Sequence, residues 1–148
     1  MKKILLFTLT FILAACSSAT TNDFEKNQNL WNDANISHYR YTLSLSCFCA
    51  FMDDMPLTIE VQNDKVVSIT SGKGTIIDST NPSYSIFESY IPMENLFTQL
   101  KAALDEADEV AVLYDTTYGF PTSISIDQIK EAVDDELFIT VENFEVLP

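Results

Sequence analysis

Residues 39–47, YRYTLSLSC, alternate without a break: Tyr39, Tyr41, Leu43, Leu45 and Cys47 against Arg40, Thr42, Ser44 and Ser46. A strand sends successive side chains to opposite faces, so this run is predicted to be half-buried β. A one-sided strand cannot stand alone. It needs neighbours that share its buried face and a layer to cover that face. The rest of the chain offers both. Leu57, Ile59 and Val61 alternate after Pro56, and Asn63-Asp64 separates that run from KVVSIT (65–70), as a tight hairpin turn would. EVAVLYD (109–115) and PTSISID (121–127) flank TTYGF, where Gly119 is free to take positive φ. LFITVENFEVL (137–147) closes the chain as a strand. Its apolar positions change phase between Val141 and Phe144, which predicts a bulge near Asn143.

Two helical patterns supply the cover. Asn22 with Glu25 three residues on forms a capping box before a helix to about Asn35, with Phe24, Trp31 and Ala34 near one side. After Pro92, a favoured first helical residue, Met93, Leu96, Phe97, Leu100, Ala103, Leu104 and Ala107 make one apolar stripe. The order helix, three strands, helix, three strands predicts an α+β fold: an antiparallel sheet with two helices packed on one face. Pro56-x-Thr-Ile-x-Val recurs 65 residues later as Pro121-x-Ser-Ile-x-Ile, a hint of internal duplication. Residues 72–92 are the least regular segment. Thr75–Ile77 reads as a short edge strand, and Tyr84, Phe87 and Tyr90 either line a groove or pack on the core.

The N-terminus speaks for an address. Lys2 and Lys3 precede a run from Ile4 to Leu13 broken only by Thr8 and Thr10, and Ala14-Ala15 follow. This is the pattern of a secretory signal, residues 1–15, and it is shorter than the ~20 apolar residues of a spanning helix. Leu13-Ala14-Ala15-Cys16 resembles the lipobox of bacterial lipoproteins. The resemblance implies that the Cys16 thiol carries diacylglycerol, that the signal is cut before Cys16, and that the new amino group is acylated. More than one acyl chain gives stable anchoring. Residues 16–21 are then a lipidated tether and 22–148 a single domain. Ser17, rather than an aspartate, implies a place in the cell envelope at the periplasmic face of the outer membrane, in a cell that has one. The formal net charge is −14, from 22 acidic and eight basic residues. Such a surface repels nucleic acid and anionic lipid, so the lipid anchor is the expected membrane contact; the charge either serves solubility alone or attracts a basic partner or divalent cations.

Cys47 and Cys49 carry the sharpest local question. At i and i+2 both point to one face of a strand. Outside the cytoplasm paired thiols tend to be oxidised, and Cys16 aside, one pair remains. An intrachain disulfide leads the readings, with the strand bending there, because extended residues two apart hold their Cα atoms ~6.6 Å from each other. Reduced core thiols, a redox-active or intermolecular pair, and a metal clip stay open. A thiolate site needs three or four ligands, and only His38, Met52 and Met55 offer themselves nearby, as for copper(I).

No other catalytic constellation stands out. His38 is the sole histidine, at a helix-to-strand junction. No G-x-S-x-G, H-E-x-x-H or phosphate-cradling glycine loop occurs, and Asp134, Asp135 and Glu136 lack calcium-loop spacing. Neither cofactor nor bound metal is expected, and the chain reads as a non-enzyme. Tyr114, Asp115, Tyr118 and Phe120, with Tyr84, Phe87 and Tyr90, form the candidate binding surface, although Asp115 also suits a brace for its own turn. Trp31, Tyr39-x-Tyr41, Cys47-x-Cys49, Pro56 and the run YDTTYGFPTSISID (114–127) are together similar to a family of small bacterial lipoproteins of unknown function, over most of residues 31–144. That resemblance implies no activity. The expected role is a lipid-anchored, non-catalytic binding or structural module of the envelope. The alternatives are thiol redox or copper handling at Cys47 and Cys49, and hydrolysis using His38 or clustered carboxylates.

Overall fold

The computed structural model describes residues 17–148, with side chains from residue 23 onward; the expected signal sequence and Cys16 lie outside the described residues. Helix α1 (Ser17–Ala34) leads into strand β1 (His38–Ser46). It starts at Ser17 rather than at Asn22, so Ser17–Thr21, expected as tether, are helical. Asn35 at φ 47° ends it in the left-handed conformation that closes many helices. After β1 come a short 3-10 helix (Ala50–Asp54), β2 (Leu57–Gln62) and β3 (Lys65–Ser71). Helices α2 (Tyr84–Glu88) and α3 (Met93–Glu106) follow, then β4 (Glu109–Tyr114), β5 (Pro121–Asp127) and β6 (Glu136–Val146).

All six strands join one antiparallel sheet in the order β3-β2-β1-β6-β5-β4. The class is α+β, as the order of elements predicts. Each half is a helix followed by a three-stranded meander, and the halves meet where β1 pairs with β6. The repeated Pro motif falls on the middle strand of each meander, β2 and β5, where a duplication would put it. Asn63 and Asp64 both take positive φ, 51° and 61°, the turn whose twist matches a two-residue hairpin.

The core lies on one face. Tyr39, Tyr41, Leu43 and Leu45 of β1 are buried with Leu57, Ile59 and Val61 of β2, Ile124 and Ile126 of β5, and Ile139 and Val141 of β6. Met93, Leu96, Phe97, Leu100 and Ala103 of α3 press on that face, and Phe24 of α1 packs edge-on against Phe97 at 6.0 Å. In β6 the predicted bulge is present. Arg40 pairs with Glu145 but Thr42 with Glu142, and Asn143 sits at φ 52°. The extra residue turns Phe144 inward, where unbroken alternation would have left it facing solvent.

Two expectations in the 72–92 segment change. The edge strand at Thr75–Ile77 reduces to a single bridge, Thr70 to Ile76. Tyr84–Glu88 form a helix turn that no periodicity announces, because five residues are too few to show a 3.6-residue repeat. It drives Phe87 into the core, edge-on to Phe51 of the 3-10 helix at 5.4 Å.

Candidate functional site

Of the seven residues expected to form a binding surface, two are turned into the core. Phe87 and Phe120 are buried, and Tyr84, Tyr90, Tyr114, Asp115 and Tyr118 are each half-buried. All six aromatics of the set pack in or against the core. Phe120 and Tyr118 lie 4.5 Å and 5.5 Å from Phe144, and Phe120 stands edge-on to Trp31 at 6.1 Å. Asp115 braces its own turn: Oδ1 accepts from the amides of Thr117 and Tyr118 at 2.9 and 2.7 Å. The Tyr114 hydroxyl is buried without a partner, and burial, then the nearby Asp23 carboxylate, pushes its pKa up to about 12. Exposed ring area is costly, so a fold with this many aromatics turns most of them inward.

Cys47 and Cys49 form a disulfide, with Cα atoms 5.2 Å apart. The chain bends as the expected bond requires, and the Cys49 amide donates to the Cys47 carbonyl at 2.9 Å, a three-residue turn centred on Phe48. The two sulfurs sit on the core side, packed against buried apolar residues. Phe48 between them is therefore thrown to the opposite side, where it is 90% exposed. It shares a cleft of about 290 Å³ with Ser46, Cys47, Asp134, Glu136 and Phe138. In the sequence Phe48 reads as the spacer between Cys47 and Cys49. The available signal was parity: in a strand with Cys47 inward, Phe48 points out.

That cleft ends a larger uncovered surface. The second face of the sheet carries Ser44, Thr140 and Ser123 in one cross-strand row, Ser46, Phe138 and Ser125 in the next, and Thr42, Thr58 and Thr70 in a third. None of these residues is buried. At the lower end, where β1 begins, charges are matched. Arg40 donates to Glu145 at 2.8 Å, and His38 meets Glu60 at 3.0 Å. At the upper end they are not. Glu109, Asp127 and Glu136 stand opposite one another on β4, β5 and β6. Asp127 is held above the usual carboxylate range, first by desolvation and then by repulsion from Asp135, Glu136, Glu109 and Asp108. The only ion pair there among the described residues is Lys130 with Glu109 at 3.7 Å.

His38 has no free nitrogen with which to act as a base. Its Nδ1 lies 2.9 Å from the Pro148 main-chain oxygen and its Nε2 3.0 Å from Glu60 Oε1. Both partners are acceptors, so both bonds need both ring protons, which only imidazolium has. The Glu60 hydrogen bond, then that to Pro148, raises the His38 pKa above 6.5, against a smaller opposing effect of desolvation. A raised histidine pKa stabilises the fold fully below the unfolded value and loses that contribution as pH climbs through the folded value. An NMR titration should place the His38 midpoint above 6.5, with the Leu147 amide, which donates to the His38 carbonyl, shifting in step. A midpoint at or below 6.5 would contradict this geometry. Among the described residues no group of three or more His, Cys, Asp or Glu is placed to hold a metal ion, and no helix is long and apolar enough to cross a membrane.

Helices on one face of an antiparallel six-stranded sheet, with the other face bare and ending in an aromatic and acidic tip, define a small α+β domain with one open sheet surface. The chain belongs to a family of unknown function, DUF6174, whose profile it matches over residues 23–146, from α1 to the end of β6. No curated protein matches the chain.

Proposed function

We propose that this is a lipid-anchored, non-catalytic binding module of the cell envelope that meets its partner through the open face of the sheet. One observation carries the reading. Helices bury one face, while the other keeps a floor of serine and threonine hydroxyls that nothing in the described chain covers. Such a floor offers donors and acceptors on a rigid scaffold, and it needs little reorganisation to bind. The arrangement suits a tether. Asn27 and Leu30 of α1 lie against Gly119, and Trp31 lies against Tyr39 and Phe120, all at the strand ends opposite Phe48. β1 alone, at nine residues, separates the ends by about 26 Å. An acyl chain on Cys16 would hold the α1 end near the bilayer and leave the open face accessible.

The test has two parts. Intact mass of the membrane-extracted protein should show loss of residues 1–15, acyl mass on Cys16, and two hydrogens gained on reduction. A photoreactive residue at Thr140 on the floor should capture an envelope protein in living cells, and one at Thr98 on α3 should not. Recovery of the uncleaved chain in the cytosol, or equal capture from both faces, would refute the reading.

A further inference from the structure

The open face is not uniform, and its upper end has the chemistry of an anchor point. We propose that the Phe48–Phe138 cleft receives a protein segment presenting an arginine or lysine beside an apolar side chain; this rests on reading the open face as a binding surface. Three observations converge. Phe48 is 90% exposed and Phe138 50%, on a protein that buries most of its aromatics. The loop joining β5 to β6, which supplies Asp134 to the cleft, also exposes Ile129 and Val133 at 60% and 84%. Asp134 and Glu136 line the same cleft as the two rings and form no ion pair among the described residues.

Carboxylates beside aromatic faces are complementary to a guanidinium or ammonium, which gains from both the charge and the ring quadrupole. Glu136 of the cleft is also one of the carboxylates whose repulsion, after desolvation, raises the Asp127 pKa, so a cation beside it eases part of that repulsion. At about 290 Å³ the cleft is at the small end for a ligand site, a size that fits a side chain on a longer segment. Other occupants fit less well. A second copy would bring the same carboxylates against each other. An anionic bilayer would be repelled, and α1 packs at the far ends of the strands. The disulfide has a role here that chain entropy does not give it. Closing so short a loop adds little stability, but it fixes the three-residue bend that holds Phe48 out.

Two experiments test this. The first uses the full lipidated chain in neutral-lipid nanodiscs and a capped Leu-Arg-Phe-Arg-Leu peptide. Saturable amide shifts are expected at residues 46–49 and 134–138. A citrulline-for-arginine peptide should bind roughly ten-fold more weakly, and so should the arginine peptide to Phe48→Ser or to Asp134→Asn with Glu136→Gln. Cys47→Ser with Cys49→Ser should match Phe48→Ser. No saturable binding at millimolar peptide, or equal binding of the uncharged peptide, would overturn the proposal. The second places a photoreactive residue at position 48 in cells, alongside the Thr140 probe. Capture of one envelope protein from both is expected. Capture from 140 alone would sink the tip and spare the binding-module reading, whereas capture from neither would sink both.

Discussion

Trp31→Ala should lower stability by about 4 kcal/mol, the largest single-residue loss expected in this domain. Trp31 is 4% exposed and is the one tryptophan in the chain. It stands edge-on to Tyr39 at 5.3 Å, to Phe144 at 5.8 Å and to Phe120 at 6.1 Å, and its Nε1 donates to Glu94 Oε1 at 3.0 Å. One indole thus joins α1 to β1, β6, the β4–β5 turn and α3. Removing it leaves a cavity among rings that are themselves held by the sheet and cannot collapse into it. Against a total of about 5–15 kcal/mol, the loss is a large share. Urea unfolding followed by circular dichroism checks the value, since the mutation deletes the fluorescent reporter. Trp31→Phe should recover more than half of it, keeping ring contacts while losing the hydrogen bond to Glu94. A loss under 2 kcal/mol for the alanine variant would mean that α1 is not held through this cluster. The tip should not notice: amide shifts at residues 46–49 should stay in place, as Phe48 lies at the other ends of the strands.

Much of this fold was legible in sequence because its strongest signals are periodic. The Tyr39–Cys47 alternation, the Asn63-Asp64 turn, the α3 stripe and the bulge at Asn143 each follow from one local rule, and no tertiary contact overrides them. Three things were hidden for physical reasons. Helix α2 is shorter than the repeat that would reveal it. Aromatics also look alike in sequence whether they bind or pack: Phe87 and Phe120, expected on a surface, are core, while Phe48 and Phe138, which drew no attention, are the exposed pair. Strand parity identifies the exposed pair, though it has no bearing on Phe87, which lies on helix α2. Phe48 and Phe138 both fall out of phase with the buried positions beside them, and Phe144 is in phase only because the bulge resets the count. The upper-end carboxylates were visible as residues but not as a cluster, because Glu109, Asp127 and Glu136 come from three strands that only the sheet aligns.

Gly119→Ala should cost about 3 kcal/mol, and a second glycine isolates the reason. Gly119 and Gly74 have nearly the same positive φ, +78° and +80°. An alanine at either position meets the left-handed penalty of roughly 1–2 kcal/mol. Their surroundings differ. A Cβ at Gly74 has nothing within 4 Å, whereas one at Gly119 would lie 2.3 Å from the Asn27 carbonyl oxygen and 3.0 Å from Leu30 Cβ. The overlap is with the backbone of α1, which cannot rotate away like a side-chain end. Either the helix lifts off or the turn opens. The turn is closed by the Gly119 amide donating to Asp115 O at 3.0 Å and by the Asp115 amide donating to Phe120 O at 2.8 Å. Lifting α1 would also loosen Trp31 from Phe120, so part of the tryptophan contribution is lost too, and the two mutations should be less than additive. Gly74→Ala should therefore cost about 1 kcal/mol and leave the α1 amides unshifted, while Gly119→Ala should broaden or shift Asn27 and Leu30. Equal losses at the two glycines would show that α1 does not press on this turn, and the placement of α1 at the strand ends opposite Phe48 would fall with it.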